Sequence, residues 1–262
     1  MNSTKTLLIV LCLLLSEASY AIKPSSTYSF TPDALGLRYE EVCLQTEDGS
    51  SLNVWHLPSE GILHPVIIST SDAGNMGDWL YLGSYLQSVG MDVWLYDYRG
   101  FGSSSAFEIQ QSYLFYTEFI TDLSSVIVHV YESTGKTPVL LGLSMGTIIV
   151  EEYLKRSEVP ICAAVFDGYV CNPFVWKDRL ASMGRSIQIP DDYEDRIQLE
   201  SRNIPRLYIV SRKDTLSRRE DIPNRTGRHI MVTSFRCGHL EAFFKYPRRY
   251  IRRIQRFVRR IS

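Results

Sequence analysis

The chain has 262 residues, 45% hydrophobic and 22% charged, a balance that suits one globular domain with a sizeable buried core. Its formal net charge of −1 excludes an overall positive field for nucleic acid, and no nucleic-acid partner is expected. The charge is uneven, however. Residues 201–262 hold 17 Lys/Arg against 4 Asp/Glu, and the preceding residues hold 11 against 25.

The first residues read as a targeting segment. Lys5 precedes an unbroken apolar run, Leu7 to Leu15, which is too short to span a bilayer and has the length of a signal-peptide core. Ser19-Tyr20-Ala21 then offers small residues for cleavage. Residues 1–21 are therefore expected to be a signal peptide, and residues 22–262 the folded domain of an exported protein, periplasmic or secreted. An uncleaved anchor is the competing reading. Removing the leader takes Cys12 away and leaves Cys43, Cys162, Cys171 and Cys237, an even number that permits disulfides in an exported chain. The five histidines are scattered and no CxxC occurs, so no metal is expected. Asn224-Arg225-Thr226 is a glycosylation sequon, relevant only in a eukaryotic secretory route.

Short apolar strands then alternate with helical stretches, the pattern of a doubly wound, mostly parallel α/β sheet. Residues 40–46 and 51–57 form a hairpin turning at Asp48-Gly49. Strands follow at 65–70, 91–96, 138–142, 161–166, 206–210 and 229–234. Helices are expected at 78–89, opened by Asp78, at about 111–133, from Met145 to about Arg156, and from Pro247 onward. In such a sheet ligands bind beyond the carboxyl ends of the strands, so catalytic residues should follow strands directly.

Gly142-Leu143-Ser144-Met145-Gly146 passes that test. This GxSxG follows a buried strand and opens an amphipathic helix, the setting in which a sharp turn exposes a serine hydroxyl. A serine needs a base to become nucleophilic. His239 follows the strand at 229–234 and Asp214 follows the one at 206–210, in the chain order serine, acid, histidine. Ser144, His239 and Asp214 are thus the candidate nucleophile, base and orienting acid, with Asp167 a rival acid after the strand at 161–166. His56, His64, His129 and His229 lie at the wrong edges or within elements. The backbone N–H groups of Met145 and Asp72 are the candidate oxyanion donors.

With these residues named, the chain resembles the α/β-hydrolase superfamily over nearly all of residues 22–262, and most closely its compact, small-cap, Bem46-like members. Thr46-Glu47-Asp48-Gly49-Ser50-Ser51-Leu52 resembles the family's T-x-DG-x-x-L hairpin. Asp97-Tyr98-Arg99-Gly100-Phe101-Gly102-Ser103-Ser104 resembles its D-x-R-G-x-G-x-S segment, and Ala73-Gly74-Asn75 the tail of its HGNAGN loop. Thr70-Ser71 stands where that loop has His-Gly, a departure expected to reshape the oxyanion hole.

The resemblance implies an α/β-hydrolase fold with a small lid at 170–204, acting on a small-molecule or lipid-like acyl substrate without cofactor. Phe174, Trp176 and Met183 are the candidate acyl-pocket residues, and a Cys171–Cys237 disulfide is a candidate tether of the lid. Ester or thioester hydrolysis is the leading expectation. Amidase, peptidase or acyltransferase chemistry, or a catalytically weak binding protein, are its rivals. The closing helix interleaves Ile251, Ile254, Phe257, Val258 and Ile261 with arginines, which offers weak contact with an anionic membrane.

Overall fold

The computed structural model describes residues 21–61, 64–156, 159–191, 193–196, 199–223 and 230–261. Residues 1–20 of the expected leader (1–21), the Asn224 sequon and His229 lie outside the described residues.

Eight strands build one sheet: β1 (Glu40–Gln45), β2 (Ser51–Leu57), β3 (Val66–Ser69), β4 (Val93–Tyr96), β5 (Val139–Leu143), β6 (Ala163–Asp167), β7 (Arg206–Ser211) and β8 (Ile230–Phe235). Their spatial order is β8-β7-β6-β5-β3-β4-β2-β1. The pairs β1–β2 and β2–β4 are antiparallel; the others are parallel. The fold is that of an α/β hydrolase, as the sequence led us to expect.

Strands β3 to β6 are buried along their length and mostly apolar, because both faces are covered. Alternate residues feed two separate cores. Ile67, Trp94, Tyr96, Leu140 and Phe166 pack under α2 (Glu118–Thr134) and α3 (Met145–Arg156). Val66, Ile68, Leu95, Leu141 and Val165 pack under α1 (Leu80–Ser88) and the last helix, α7 (Pro247–Ile261). The lid carries α4 (Pro173–Ser182) and α5 (Tyr193–Arg196), and α6 (Ala242–Lys245) precedes α7.

Two helix starts differ from expectation. Asn75, rather than Asp78, is the cap: its Oδ1 accepts the Gly77 N–H (3.0 Å), while the Asp78 carboxylate accepts the Asn75 N–H (3.3 Å). A 3-10 turn over Met76–Trp79 then precedes α1. The helix expected from about residue 111 begins only at Glu118. Before it, Leu114 N–H donates to Gln188 O (2.8 Å) and Gln188 N–H to Ser112 O (2.7 Å), so tertiary pairing with the lid overrides local helical periodicity.

The hairpin is clamped to the sheet by charge. Arg99 forks onto Asp48 (2.6 and 2.9 Å) and donates through its Nε to Asp122 of α2 (2.9 Å). Its backbone N–H donates to the same Asp122 carboxylate (2.9 Å). The guanidinium holds the Asp48 carboxyl down at about 2, whereas burial pushes Asp122 up to about 6. Asp122 is fully buried and depends on this partner. Arg99→Ala is expected to destabilise the fold by about 3–5 kcal/mol, because it leaves a buried carboxylate unpaired. Urea unfolding of the two proteins measures this.

Candidate active site

The nucleophile turn is built from close backbone approaches. Ser144 follows β5 at φ 50°, in the left-handed region. Its N–H donates to Asp167 O on β6 (2.9 Å), and its carbonyl accepts the N–H and Oγ1–H of Thr147 (2.8 and 2.7 Å). A side chain at position 146 would place a Cβ 2.0 Å from Ser69 O, and one at 142 would come within 2.8 Å of Gly146 O. Only glycine at both positions lets α3 leave so near β3.

Three residues distant in sequence meet beside this turn. His239 Nε2 lies 2.8 Å from Ser144 Oγ, and His239 Nδ1 lies 2.6 Å from Asp214 Oδ2. The other Asp214 oxygen accepts the N–H groups of Leu216 and Ser217 (2.9 and 3.1 Å), which fixes the carboxylate. The imidazole is 27% exposed at its side chain and the Asp214 carboxylate 1%. Burial by itself lowers the His239 pKa. The hydrogen bond and charge of Asp214, helped by Asp167 and Asp72, outweigh it and leave the pKa raised.

The rival acid has a different place. Asp167 makes no hydrogen bond to His239; its carbonyl supports the Ser144 turn, and its Oδ1 is buried without a partner. Burial pushes its carboxyl up to about 7. His56 bridges Glu40 and Asp92, His64 bonds Thr137 O, and His129 packs edge-on against Trp94, all away from Ser144.

A cavity of about 110 Å³ opens over the serine, lined among others by Asp72, Leu114, Trp176, Leu180 and Arg185. Two acyl-pocket expectations need correction. Phe174 lies on another face of α4 and packs on Tyr193 (5.8 Å). Met183 shares the helical face of Trp176 by spacing, but the helix has already ended at Ser182, and Met183 is 47% exposed. Trp176 does line the cavity, its ring edge-on to His239 at 5.6 Å.

The proposed lid tether is also corrected. Cys43, Cys162, Cys171 and Cys237 are free thiols; Cys237 is buried with its sulfur against Ser211 (3.3 Å). The lid is tethered instead by Arg179, which forks onto Asp221 (2.6 and 2.7 Å).

The loop after β3 is held from below and from the side. Tyr98 donates to Thr70 O (3.2 Å), and Met76 N–H donates to Asp97 (2.7 Å). Lys23-Pro24 pairs in parallel with Ala73-Gly74, with Lys23 N–H on Asp72 O (2.8 Å) and Ser25 N–H on Gly74 O (2.9 Å). Ala21 of this strap lines the cavity. Ser71 is not left-handed, since Ser144 and Leu240 are the only non-glycine residues of positive φ among the described residues. Its Cβ therefore adds no strain of that kind.

Gly168 is a residue of the candidate site that the sequence did not reveal. It sits at φ 67°, and a Cβ there would fall 2.7 Å from His239 Cε1. Its signal was its position one residue past β6, beside Asp167. Gly168→Ala is expected to displace the imidazole and lower kcat/KM about 10²-fold. Steady-state kinetics beside a melting curve would separate this from unfolding.

Comparison with known proteins agrees with this architecture. A family model described as serine aminopeptidase, S33, matches residues 72–235. Among curated relatives, an uncharacterized membrane protein of Saccharomyces cerevisiae is 37% identical over 75 residues, 28% of this chain and 26% of that protein. The α/β hydrolase domain-containing protein WAV2 of Arabidopsis thaliana is 26% identical over 152 residues, 55% of this chain and 46% of WAV2. The chain thus matches less than half the length of either relative. Among solved structures, the esterase Pf2001 of Pyrococcus furiosus superposes with TM-score 0.72 at 18% identity, covering 91% of this chain and 99% of that one. A putative aryl esterase from Burkholderia cenocepacia gives TM-score 0.61 at 19% identity, covering 85% and 99%. With the family model spanning well over half its length, this chain belongs to the serine aminopeptidase S33 family of α/β hydrolases.

Proposed function

We propose that the protein is an exported serine hydrolase that cleaves a carboxylic ester or thioester through an acyl-enzyme on Ser144. The observation that carries this reading is the continuous hydrogen-bonded chain from Ser144 through His239 to Asp214. The leader-like residues 1–21 support export.

The steps follow from that geometry. His239 Nε2 takes the Ser144 proton as the oxygen attacks the acyl carbon, and Asp214 stabilises the resulting imidazolium. The tetrahedral oxyanion lies near the Met145 N–H at the start of α3, where the helix dipole favours negative charge. The second donor in this reading is the Asp72 N–H, on the loop after β3. The imidazolium then protonates the departing alkoxide or thiolate. Water, deprotonated by His239, attacks the acyl-enzyme and frees the carboxylic acid and Ser144.

A cavity of about 110 Å³ is small beside ordinary ligand pockets and favours a short acyl group. A second reading, release of an amino-terminal residue, is favoured by one feature: the Asp72 carboxylate lines the cavity, where it suits a substrate ammonium. A panel of acyl esters of graded length, run beside aminoacyl anilides, distinguishes the two.

A fluorophosphonate probe is expected to label the protein, and labelling should disappear in Ser144→Ala. A well-folded wild-type protein that takes no label would end the reading. Asp214→Asn should lower kcat by about 10³–10⁴-fold, whereas Asp167→Asn should lower it less than about tenfold because that side chain makes no hydrogen bond to His239. The base must be neutral, so kcat/KM should fall as pH drops through a His239 pKa above the usual imidazole value. A pH–rate profile checks that direction.

A further inference from the structure

Helix α7 carries seven arginines and no carboxylate. At about 100° per residue all seven fall within one arc of about 140°. The opposite face, Tyr250, Ile251, Ile254, Phe257 and Val258, is buried. Six of the arginines are exposed, and Arg253 is partly so. Among the described residues none of the seven forms a salt bridge. Because its apolar face is committed to the core, the helix cannot sink that face into a bilayer as a free amphipathic helix does.

Apolar surface is supplied next door. Phe244 of α6 is 58% exposed, and Tyr81 and Tyr85 of α1 are 40% and 39% exposed. With Phe243 and Pro247 they border a shallow hollow of about 190 Å³. Pro247 is also the first residue of α7, and Gln255 of α7 donates to Val89 O beside α1 (3.2 Å). The hollow therefore abuts the first turn of α7, where Arg248 and Arg249 follow Pro247. This flank reaches the catalytic rim, since α6 begins three residues after His239.

We propose that this flank docks on an anionic lipid bilayer, the arginines pairing with lipid headgroups and the rings entering the headgroup layer. Aromatic side chains are favoured at that depth, and each arginine near a negatively charged leaflet adds attraction. The rings meet edge-to-face, Phe30–Tyr81 at 74° and Tyr85–Phe243 at 83°, which suits insertion among headgroups better than the stacking of nucleic-acid bases. The contact is peripheral: among the described residues no helix is long and apolar enough to cross a membrane.

Co-sedimentation of the full chain with vesicles tests this, and because it reads binding rather than turnover its outcome is separate from the hydrolase reading. The protein should pellet with phosphatidylcholine vesicles containing phosphatidylserine and stay in solution with phosphatidylcholine alone. Arg248→Gln and Arg252→Gln should each weaken binding on the order of fivefold. Phe244→Ser with Tyr81→Ser should weaken it at least as much. These positions are exposed, and unchanged melting curves would confirm that the variants fold. A folded wild type that ignores phosphatidylserine overturns the proposal. So does a ring variant that binds vesicles as tightly as wild type, or a chain that binds single-stranded DNA better than the vesicles and loses both in the ring variant.

Discussion

The geometry of the candidate site hangs on the left-handed backbone of Ser144. A residue with a side chain gives up about 1–2 kcal/mol to occupy that region. The cost is met by bonds on both sides of the residue: the Asp167 carbonyl holds its N–H, and Thr147 holds its carbonyl twice. Gly146 then sits so close to Ser69 that the nucleophile and the loop over β3 share one wall. Ser69 is itself bonded to Tyr98 (2.7 Å), so the strain at the serine is opposed by packed sheet rather than by flexible loop.

The family-signature segments turn out to be scaffold. Asp48 and Arg99 never approach the serine; they fasten the hairpin to α2. Asp97 works one layer nearer the site, taking the Tyr28 hydroxyl and the Met76 N–H. Buried charge of this kind is sensitive to the loss of either partner, which gives a physical reason for such residues to travel together.

Much of this was legible in the sequence because the signals are local. Apolar runs fix strands buried on both faces, and residues immediately after those strands must reach one rim, so Ser144, Asp214 and His239 could be named from position alone. What was not legible depends on tertiary partners. The segment before Glu118 has the composition of a helix, yet the lid residue Gln188 recruits its backbone. Met183 fits the pattern of Trp176 and Leu180, but spacing carries no information once the helix has ended. Gly168 is marked only by an imidazole that arrives from about 70 residues away, and Leu114 and Arg185 reach the cavity from segments with no motif.

The strap formed by Ala21 to Ser25 has a consequence for how the chain is handled. Its backbone is bonded to the Asp72 loop and its first residue forms part of the cavity wall. Cleavage after Ala21 would remove that wall residue, whereas a chain that keeps its leader, or carries an affinity tag ahead of Ala21, holds the extension beside Ser144. Forms of the protein that differ only in their amino-terminal extension therefore present different entrances to the same serine.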